Sequence, residues 1–375
     1  MVADLTVSIN YVTRADEAHI PLTLLEPVVE DLGIQGARLG LQDNQTTGQF
    51  LDQDYELREV IVPQDASLAN AMDGVFRDGP ALVVADLTAD DLLALSDLPA
   101  AQGSLILNAR SRQDQLRHTD CRQNVLHVAA SNAMLADGLA QFLRRKRWSR
   151  VFLVLGREAE DRRYARALKR SFARLRLRVV EEKTWTFDPA NRRDDSGVAI
   201  AYEEVHGFTQ VRDYDVLVVA DAADQFGEYL AHRTARPRPV AGTQGLVPTL
   251  WSRVHEQWGG TQLQGRFTDL AGRFMTSRDY TNWLAVRALG EAVTRTGTAD
   301  PARLQQYILS EEFELQGFKG LALTFRPWNQ QLRHRVLLAG PRMLVSVSPQ
   351  PGFLHERTEL DTLGYDRPDS RCRLN

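Results

Sequence analysis

Residues 124–172 read NVLHVAASNAMLADGLAQFLRRKRWSRVFLVLGREAEDRRYARALKRSF, and this stretch decides the fold class. An apolar run at 125–129 predicts a strand, and Ser131 or Asn132 then opens a predicted helix. A second apolar run at 151–155 is followed by a basic helical pattern. Strands that alternate with helices in this way indicate a parallel sheet, because parallel neighbours need a crossover that is usually a helix.

The same alternation occupies both halves of the chain. Predicted strands lie at residues 5–12, 55–62, 81–86 and 104–108, and again at 125–129, 151–155, 178–184 and 216–220. Helical patterns separate these strands, so we predict an α/β protein with two lobes, each a parallel sheet flanked by helices. We place lobe 1 at residues 1–118 plus 246–320, and lobe 2 at 119–245 plus 321–375. Lobes joined by several crossings of the chain would close around a ligand by a hinge.

The last third of the chain departs from this alternation. Residues 280–296 predict a long helix, and 321–325 and 333–339 flank a turn that suggests a β-hairpin. The tail at 340–375 is rich in Pro, Asp and Arg and is predicted to be irregular.

Length, composition and charge exclude several classes of protein. The chain has 375 residues, is 43% hydrophobic and 25% charged, and carries 45 basic against 49 acidic residues, a net charge of −4. This is ordinary for a soluble globular protein, and it gives no global attraction to nucleic acid or anionic membrane. No apolar run approaches the roughly 20 residues of a membrane helix. Met1 lies almost directly before the first predicted strand, so either the protein is cytosolic, or a leader was removed and Met1 was added for expression.

Sequence motifs do not point to catalysis. The chain contains no GxGxxG after a strand, no GxxxxGK[ST], no GxSxG and no HExxH, and its eight histidines are scattered. We therefore predict a protein that is not an enzyme, while an enzyme on the same scaffold stays an alternative. The two cysteines, Cys121 and Cys372, have no CxxC partner, so a structural zinc site is not expected. They are either unrelated thiols or one disulfide.

Arginines follow the predicted strands at the positions where a ligand would be held. Arg14 follows the first strand, Arg110 and Arg112 follow the strand at 104–108, and Arg157 follows the strand at 151–155. In open α/β sheets, ligands bind outside the carboxyl ends of the strands. Guanidinium groups pair bidentately with carboxylates, so these arginines predict an anion with several carboxylates. The basic run at 144–150, in contrast, is interpreted as a helix end, where cations are favoured, rather than as a nucleic-acid site.

The chain resembles a known family in the segments 128–139, 148–151 and 164–165. These look like the second-lobe opening of type I periplasmic binding proteins, the branched-chain amino-acid-type receptors of ABC importers. Residues 241–249 (AGTQGLVPT) and 262–267 (QLQGRF), with 213–216 (DYDV), resemble the subgroup that is associated with pyrroloquinoline-quinone-dependent alcohol oxidation. The resemblance implies a periplasmic receptor with three hinge crossings that binds pyrroloquinoline quinone and whose closure is read by the membrane subunits of an ABC transporter. Export implies the disulfide and a removed leader, and we expect a monomer with no nucleic-acid partner.

The chain also departs from the amino-acid receptors of that family. The third strand ends in Asp86-Leu87-Thr88 and the fourth in Asn108-Ala109-Arg110, whereas those receptors carry small hydroxyl residues after these strands. The linking segment after the first strand is also shortened, with residues 18–30 in its place. Amino-acid binding is therefore disfavoured. Pyrroloquinoline quinone is planar and carries three carboxylates, in agreement with the arginine pattern.

The residues that the resemblance assigns to the ligand fall into three groups. Carboxylates would pair with the arginines, whereas ring stacking and polar contacts with ring atoms would use other side chains near the cleft. The expected site is Arg14, Asn108, Arg110, Arg112, Arg157, Tyr202, Asp221, Gln244 and Trp251. Trp251 or Tyr202 would stack, with packing at the hinge as the alternative for Trp251, and Asp221 or Gln244 would bond a ring nitrogen or quinone oxygen. No catalytic cofactor is expected, and whether a metal ion accompanies the quinone stays open. The alternative ligand is another anionic organic acid or an alcohol-derived metabolite.

Overall fold

The computed structural model describes residues 5–15, 28–186 and 201–374, and only the backbone of 201–203. The predicted linking segment at 18–30 therefore lies mostly outside the described residues, as does the side chain of Tyr202.

Strands and helices alternate through most of the described chain. The strands are β1 (Leu5–Arg14), β2 (Gln53–Val62), β3 (Leu82–Asp86), β4 (Leu105–Asn108), β5 (Val125–His127), β6 (Arg150–Leu155), β7 (Arg178–Thr184), β8 (Val216–Ala220), β9 (Val240–Gly242), β10 (Val247–Thr249), β11 (Leu315–Gln316), β12 (Ala322–Leu323), β13 (Val336–Ala339) and β14 (Leu344–Ser348). The helices are α1 (Ile34–Gly48), α2 (Leu68–Met72), α3 (Ala89–Ser96), α4 (Asn132–Arg145), α5 (Ala159–Arg174), α6 (Ala201–Phe208), α7 (Gly227–Leu230), α8 (Gly260–Ala271), α9 (Ser277–Thr296) and α10 (Pro301–Ile308).

The first sheet has the order β2-β1-β3-β4-β5, and its neighbouring strands are all parallel. Side chains alternate along each strand, so Ile9 and Val84 face the layer of α1 and α9, whereas Val83 and Ile106 face α2 and α3. Helices α1 and α9 cross so closely that a Cβ on Gly36 would come within 1.9 Å of the Asp279 carbonyl oxygen. The first sheet is therefore buried on both faces, as the strand pattern predicts.

The second sheet has the order β7-β6-β8-β9 and is also parallel. Val151 and Leu153 pack toward α4 and α5 in one layer, and Phe152 and Val154 pack with α6 and α7 in the other. The helix that follows β8 is short, since α7 spans Gly227–Leu230 only. The α/β class and the flanked parallel sheets of the prediction are confirmed.

A third, antiparallel sheet has the order β10-β13-β14, and we call it the crossing sheet. The expected hairpin between 321–325 and 333–339 is reduced to an isolated bridge between Phe325 and Leu332, because β13 pairs with β10 and β14 instead. The prediction of a wholly irregular tail is wrong for the same reason, since β14 lies within it.

Two contacts attach the rest of the tail to the body of the protein. Cys372, near the end of the tail, is joined by a disulfide to Cys121 in the connection between β4 and β5. Earlier in the tail, Asp361 is fully buried and forms ion pairs with Arg326 and Arg333. None of the described helices is long and apolar enough to cross a membrane.

Candidate functional site

A cleft of about 610 Å³ lies between the two parallel sheets. One wall consists of residues that follow β3, β4 and β5, together with the first turn of α9. The other wall consists of residues that follow β8 and β9 and the first turns of α5. The cleft therefore lies at the carboxyl ends of the strands, which is the edge where open α/β sheets bind ligands.

Arg110 and Arg112, both predicted from the end of β4, line this cleft. The Arg112 side chain reaches the water of the cleft, yet protein surrounds it closely enough for lost hydration to lower the pKa of its guanidinium. Tyr164 and Glu160 on the opposite wall lie within electrostatic reach of Arg112, and their effect is to raise its pKa. Within the described ranges, no hydrogen bond or ion pair holds the Arg112 guanidinium.

Asn108 does not line the cleft, although it shapes the loop that does. Its amide nitrogen donates to the Ser111 carbonyl at 2.9 Å, and its amide oxygen accepts the Ser111 N–H at 2.9 Å and the Arg110 N–H at 3.3 Å. The Asn108 side chain thus forms hydrogen bonds with backbone groups that have no partner strand after β4 ends. Asn108 positions Arg110 and Arg112 rather than standing in the cleft itself.

Arg163 contributes a second cation from the opposite wall, beside Glu160 and Tyr164. The three residues share one face of α5 because they are spaced i, i+3 and i+4. The helix starts at a capping box, in which the Glu158 and Asp161 side chains satisfy each other's backbone N–H groups. In the part of the chain that the structure covers, neither the Arg163 guanidinium nor the Tyr164 hydroxyl has a hydrogen-bond partner.

Arg278, at the start of α9, also lines the cleft. Its Nε donates to both carboxylate oxygens of Asp86 at 2.9 and 3.0 Å, and the Tyr11 hydroxyl donates to the same carboxylate at 2.6 Å. Burial raises the pKa of Asp86, and Arg278 and Tyr11 oppose that effect. Asp86 therefore orients Arg278 at the end of β3.

Asp221 lines the cleft as predicted, but its carboxylate is already occupied. It accepts the N–H groups of Gln225, Phe226 and Gly227 at 2.6–2.9 Å, which closes the turn before α7. Gln244 lines the cleft beside it and donates to Asp224 at 3.1 Å. Among the two, Gln244 is the better placed to bond a ligand.

Two of the expected arginines lie outside the cleft-lining set. Arg14 pairs with Asp91 at 2.8 Å and donates to the carbonyls of Pro63, Gln64 and Ala66, so it fastens the loop after β2 to α3. β1 extends as far as Arg14, which leaves this side chain on the flank of the sheet. Arg157 is exposed, and its carbonyl accepts a hydrogen bond from the Arg162 guanidinium.

Trp251 also lies outside the cleft, in the core of the first lobe's helices. Its ring stacks on Tyr280 with centroids 4.9 Å apart, and its indole N–H donates to the Gln264 amide oxygen at 3.2 Å. Only 2% of the residue is exposed. Trp251 therefore packs in the core instead of stacking on a ligand in the cleft, and the aromatic side chain among the cleft-lining residues is Tyr164.

Sequence signals existed for Arg163 and Arg278, the two cleft arginines that the expected site does not include. The Thr276-x-x-Asp279 pattern is a capping box that starts α9 at Ser277, three residues earlier than predicted, and so places Arg278 at the cleft edge. The one-face spacing of Glu160 and Arg163 distinguishes Arg163 from Arg162. As for metals, the described residues contain no group of three or more His, Cys, Asp or Glu side chains that could hold an ion.

No protein-family model and no curated protein matches the sequence. Among solved structures, a branched-chain amino-acid ABC transporter periplasmic ligand-binding protein from Burkholderia xenovorans is similar with a TM-score of 0.70 at 15% identity, over 91% of this chain and 95% of that one. A periplasmic binding protein from Burkholderia mallei has a TM-score of 0.67 at 15% identity over 98% and 99% of the two chains. A solute-binding protein from R. palustris, solved with benzoate, has a TM-score of 0.67 at 12% identity over 98% and 100%. These likenesses show the two-lobe type I periplasmic binding fold. The Burkholderia xenovorans and R. palustris neighbours are ligand-binding proteins of ABC transporters.

Proposed function

We propose that this protein is a periplasmic solute-binding protein of an ABC-type importer, and that it captures pyrroloquinoline quinone between its lobes. The observation that carries the proposal is the Arg112 guanidinium, which lines the cleft, is exposed to its water and has no hydrogen-bonded or ion-paired partner in the described chain. A guanidinium group in this state is available to a ligand carboxylate. A cation in this position is therefore best explained by an anionic ligand that supplies the missing partner.

The number of cleft cations favours a ligand with several carboxylates. Arg110, Arg163 and Arg278 line the same cleft as Arg112 and approach it from both walls. Guanidinium groups bind carboxylates through paired, charge-assisted hydrogen bonds. The three carboxylates of pyrroloquinoline quinone would match a cleft that several arginines line.

Size and shape are compatible with a flat aromatic ligand. The cleft volume of about 610 Å³ lies within the range of roughly 300–1,000 Å³ that is typical of small-molecule sites. Tyr164 replaces Trp251 as the proposed aromatic contact, and its hydroxyl is available as a donor. Gln244 remains the proposed contact for a ring nitrogen or quinone oxygen.

The state of Asp221 argues against a free amino acid as the ligand. An amino acid needs an acceptor for its ammonium group, and Asp221 spends its carboxylate on three backbone N–H groups. The negative charge of Glu160 is offset by Arg112, which lies within electrostatic reach of it. We therefore infer a preference for anions over zwitterions.

The remaining parts of the proposal follow from a receptor role. Strand β5 pairs with β4 in the first sheet, so lobe 1 would extend past the predicted limit at residue 118 to the end of β5. Closure of the lobes would be read by the transporter's membrane subunits. We propose a monomeric periplasmic protein without catalytic activity or a catalytic cofactor. Elemental analysis of the liganded protein tests whether a metal ion is carried in with the quinone.

Titration of the purified protein with pyrroloquinoline quinone, leucine and benzoate tests the proposal. Tryptophan fluorescence and calorimetry should show that the quinone binds more tightly than leucine by at least about tenfold, which corresponds to about 1.4 kcal/mol. Arg112→Gln should weaken binding of the quinone, and Arg166→Gln, on an exposed part of α5 outside the cleft, is the control for a general loss of positive charge. No binding of the quinone at micromolar concentration would refute this ligand.

A simpler anionic acid is the second candidate. The R. palustris neighbour of the same fold was solved with benzoate, an aromatic monocarboxylate. If benzoate or another organic acid in the panel binds and the quinone does not, the receptor role stands with a different ligand. Chemical turnover of a bound ligand would instead support an enzyme on this scaffold.

A further inference from the structure

Arg117 is a buried arginine near the cleft that the proposed ligand would not touch. It ends a short 3-10 turn at Asp114–Arg117 and is 2% exposed. Its guanidinium donates to the carbonyls of Ser111 and Ala129, both at 2.8 Å, to the Gln113 carbonyl at 2.8 Å and to the Gln331 side-chain oxygen at 2.7 Å. In the described structure, none of its hydrogen bonds ends on a carboxylate.

Two of these acceptors belong to the loop at residues 109–113, which carries Arg110 and Arg112. Asn108 holds the loop from the strand side, and Arg117 holds it from the opposite side through Ser111 and Gln113. Isolated carbonyls in a tight loop have no ladder partners, so a five-donor guanidinium can satisfy several of them at once. The path of the ligand loop therefore depends on Arg117.

The other two acceptors belong to segments that cross between the lobes. Ala129 lies between β5 and α4, where the chain leaves the first sheet. Gln331 lies between β12 and β13, and its amide donates to the carbonyls of His127, Ala129 and Leu332. The backbone confirms the attachment, because the His127 N–H donates to the Gln330 carbonyl at 2.8 Å.

We propose that Arg117, together with Gln331, is a positioning residue that couples the ligand loop to two of the inter-lobe crossings. A carboxylate that engages Arg110 and Arg112 displaces residues 109–113, and Arg117 transmits that displacement to Ala129 and Gln331. The inference rests on the proposed function for its ligand, but the coupling itself is a property of the unliganded protein. It predicts that Arg117 affects ligand affinity and lobe closure without touching the ligand.

A conservative variant with a matched control tests the proposal. Arg117→Lys keeps the positive charge but removes the fork that reaches four acceptors. Arg326→Lys is the control, because the Arg326 side chain is equally buried and also donates to several carbonyls, but these belong to the tail residues Leu360, Leu363 and Tyr365. Gln331→Met is a second variant that removes the crossing acceptor at similar volume, should Arg117→Lys fail to fold.

The readouts separate positioning from general destabilisation. We expect Arg117→Lys and Gln331→Met to weaken binding of pyrroloquinoline quinone about tenfold, the effect of about one charge-assisted hydrogen bond, and to reduce the ligand-induced decrease in the radius of gyration. Arg326→Lys should lower stability and leave both quantities unchanged. If all three variants bind and contract like the wild type, or if Arg326→Lys weakens binding as much as Arg117→Lys, the inference is overturned.

Hydrogen exchange of the unliganded proteins separates this inference from the proposed function. Amides of residues 109–113 should exchange faster in Arg117→Lys than in the wild type and in Arg326→Lys, whatever the ligand is. If the wild type binds none of the probes but this difference is present, the proposed ligand fails and the positioning role stands. Equal exchange in all variants overturns the positioning role even if the quinone binds.

Discussion

The tail and the cleft of this protein hold arginines in opposite ways. Arg326 and Arg333, which precede the tail, both donate to the same oxygen of the tail residue Asp361, at 2.7 and 2.8 Å. At the cleft, Arg112 and Arg163 have no hydrogen-bonded or ion-paired partner among the described residues. Arginines of the first kind stabilise the folded chain, whereas those of the second kind leave positive charge for something outside the chain.

Helix α5 contains both arrangements within one element. Near its C-terminal end, Arg170 and Arg174 pair with the fully buried Asp137 at 3.1 and 2.8 Å. Arg163, near the N-terminal end of the helix, lines the cleft together with Tyr164. A basic helix is therefore not one functional unit, and the partner of each cation decides what that cation does.

The largest expected effect is on the tail side of the comparison. Asp361→Ala removes the acceptor shared by two buried guanidinium groups, so the free energy of unfolding should fall by about 3–5 kcal/mol, the usual loss when one partner of a buried pair is removed. Urea denaturation measures it, with Glu356→Ala, an exposed acid of the same tail, as the control. Ligand affinity of the folded fraction should not change. A loss below about 1 kcal/mol, the range of surface pairs, would contradict the structural role.

The next effect concerns the disulfide that ties down the same tail. Cys121 and Cys372 are 251 residues apart in sequence, so their bond restricts the unfolded chain over a long loop. Replacing both by serine should lower the free energy of unfolding by about 2–4 kcal/mol. Reductant should destabilise the wild type to the same extent and leave the variant unchanged. Two free thiols in the denatured, unreduced wild type would sink the prediction.

The cleft side of the comparison predicts an effect on binding instead of stability. Arg112→Gln removes charge-assisted hydrogen bonds to a ligand carboxylate, which are worth about 1.5–3 kcal/mol, so binding of pyrroloquinoline quinone should weaken by about 10- to 100-fold. The free energy of unfolding should not fall, since Arg112 has no partner to lose. Calorimetry and urea denaturation of one preparation measure both quantities, and Arg166→Gln is the control. A variant that is destabilised but binds normally would reverse the assignment.

The sequence pattern predicted the sheets and part of the cleft for a physical reason. Arg110 and Arg112 were found because they follow β4 directly, and the end of a parallel strand lies at the ligand edge whatever the rest of the chain does. Arg14 and Arg157 follow strands as well, yet Asp91 and neighbouring carbonyls draw Arg14 aside, and Arg157 is exposed outside the cleft lining. The position of a residue after a strand predicts that its backbone lies at the ligand-binding edge of the sheet. Its local hydrogen-bond and ion-pair partners decide whether a long side chain enters the cleft.

Long-range partners explain what the sequence could not show. Trp251 lies in a Gly- and Pro-rich crossing, but its ring is buried in the core. There it stacks on Tyr280 and donates a hydrogen bond to Gln264, and both partners are more than ten residues away in sequence. The tail looked irregular because its order comes from distant contacts, such as the pairing of β14 with β13 and the contacts of Asp361. Arg117 gave no sequence signal, since its four acceptors come from three separate segments.

Buried histidines at the crossing offer a third arrangement and the smallest predicted effect. His334 is fully buried, its Nε2 donates to the Val128 carbonyl at 2.7 Å, and burial lowers its pKa to about 3. Burial likewise lowers the pKa of His127 well below its ordinary value. Both rings are therefore neutral where the arginines are charged, which avoids the cost of a buried cation without a partner.

This arrangement fixes how stability depends on pH. In the unfolded chain each histidine takes up a proton below about pH 6.5, whereas the folded chain keeps His334 neutral until about pH 3. The unfolded state then binds more protons, so the free energy of unfolding falls as the pH drops through this window, by up to about 1.4 kcal/mol per pH unit for each histidine. His334→Gln keeps the donor to Val128 but cannot titrate, so its loss between about pH 6.5 and pH 4.5 should be smaller than that of the wild type. Denaturation at several pH values measures the slopes, and His355→Gln, whose ring is half-buried against Asp366, is the control. Equal slopes for the wild type and His334→Gln would show that His334 is protonated in the folded chain and that a buried cation at the crossing is tolerated without a partner.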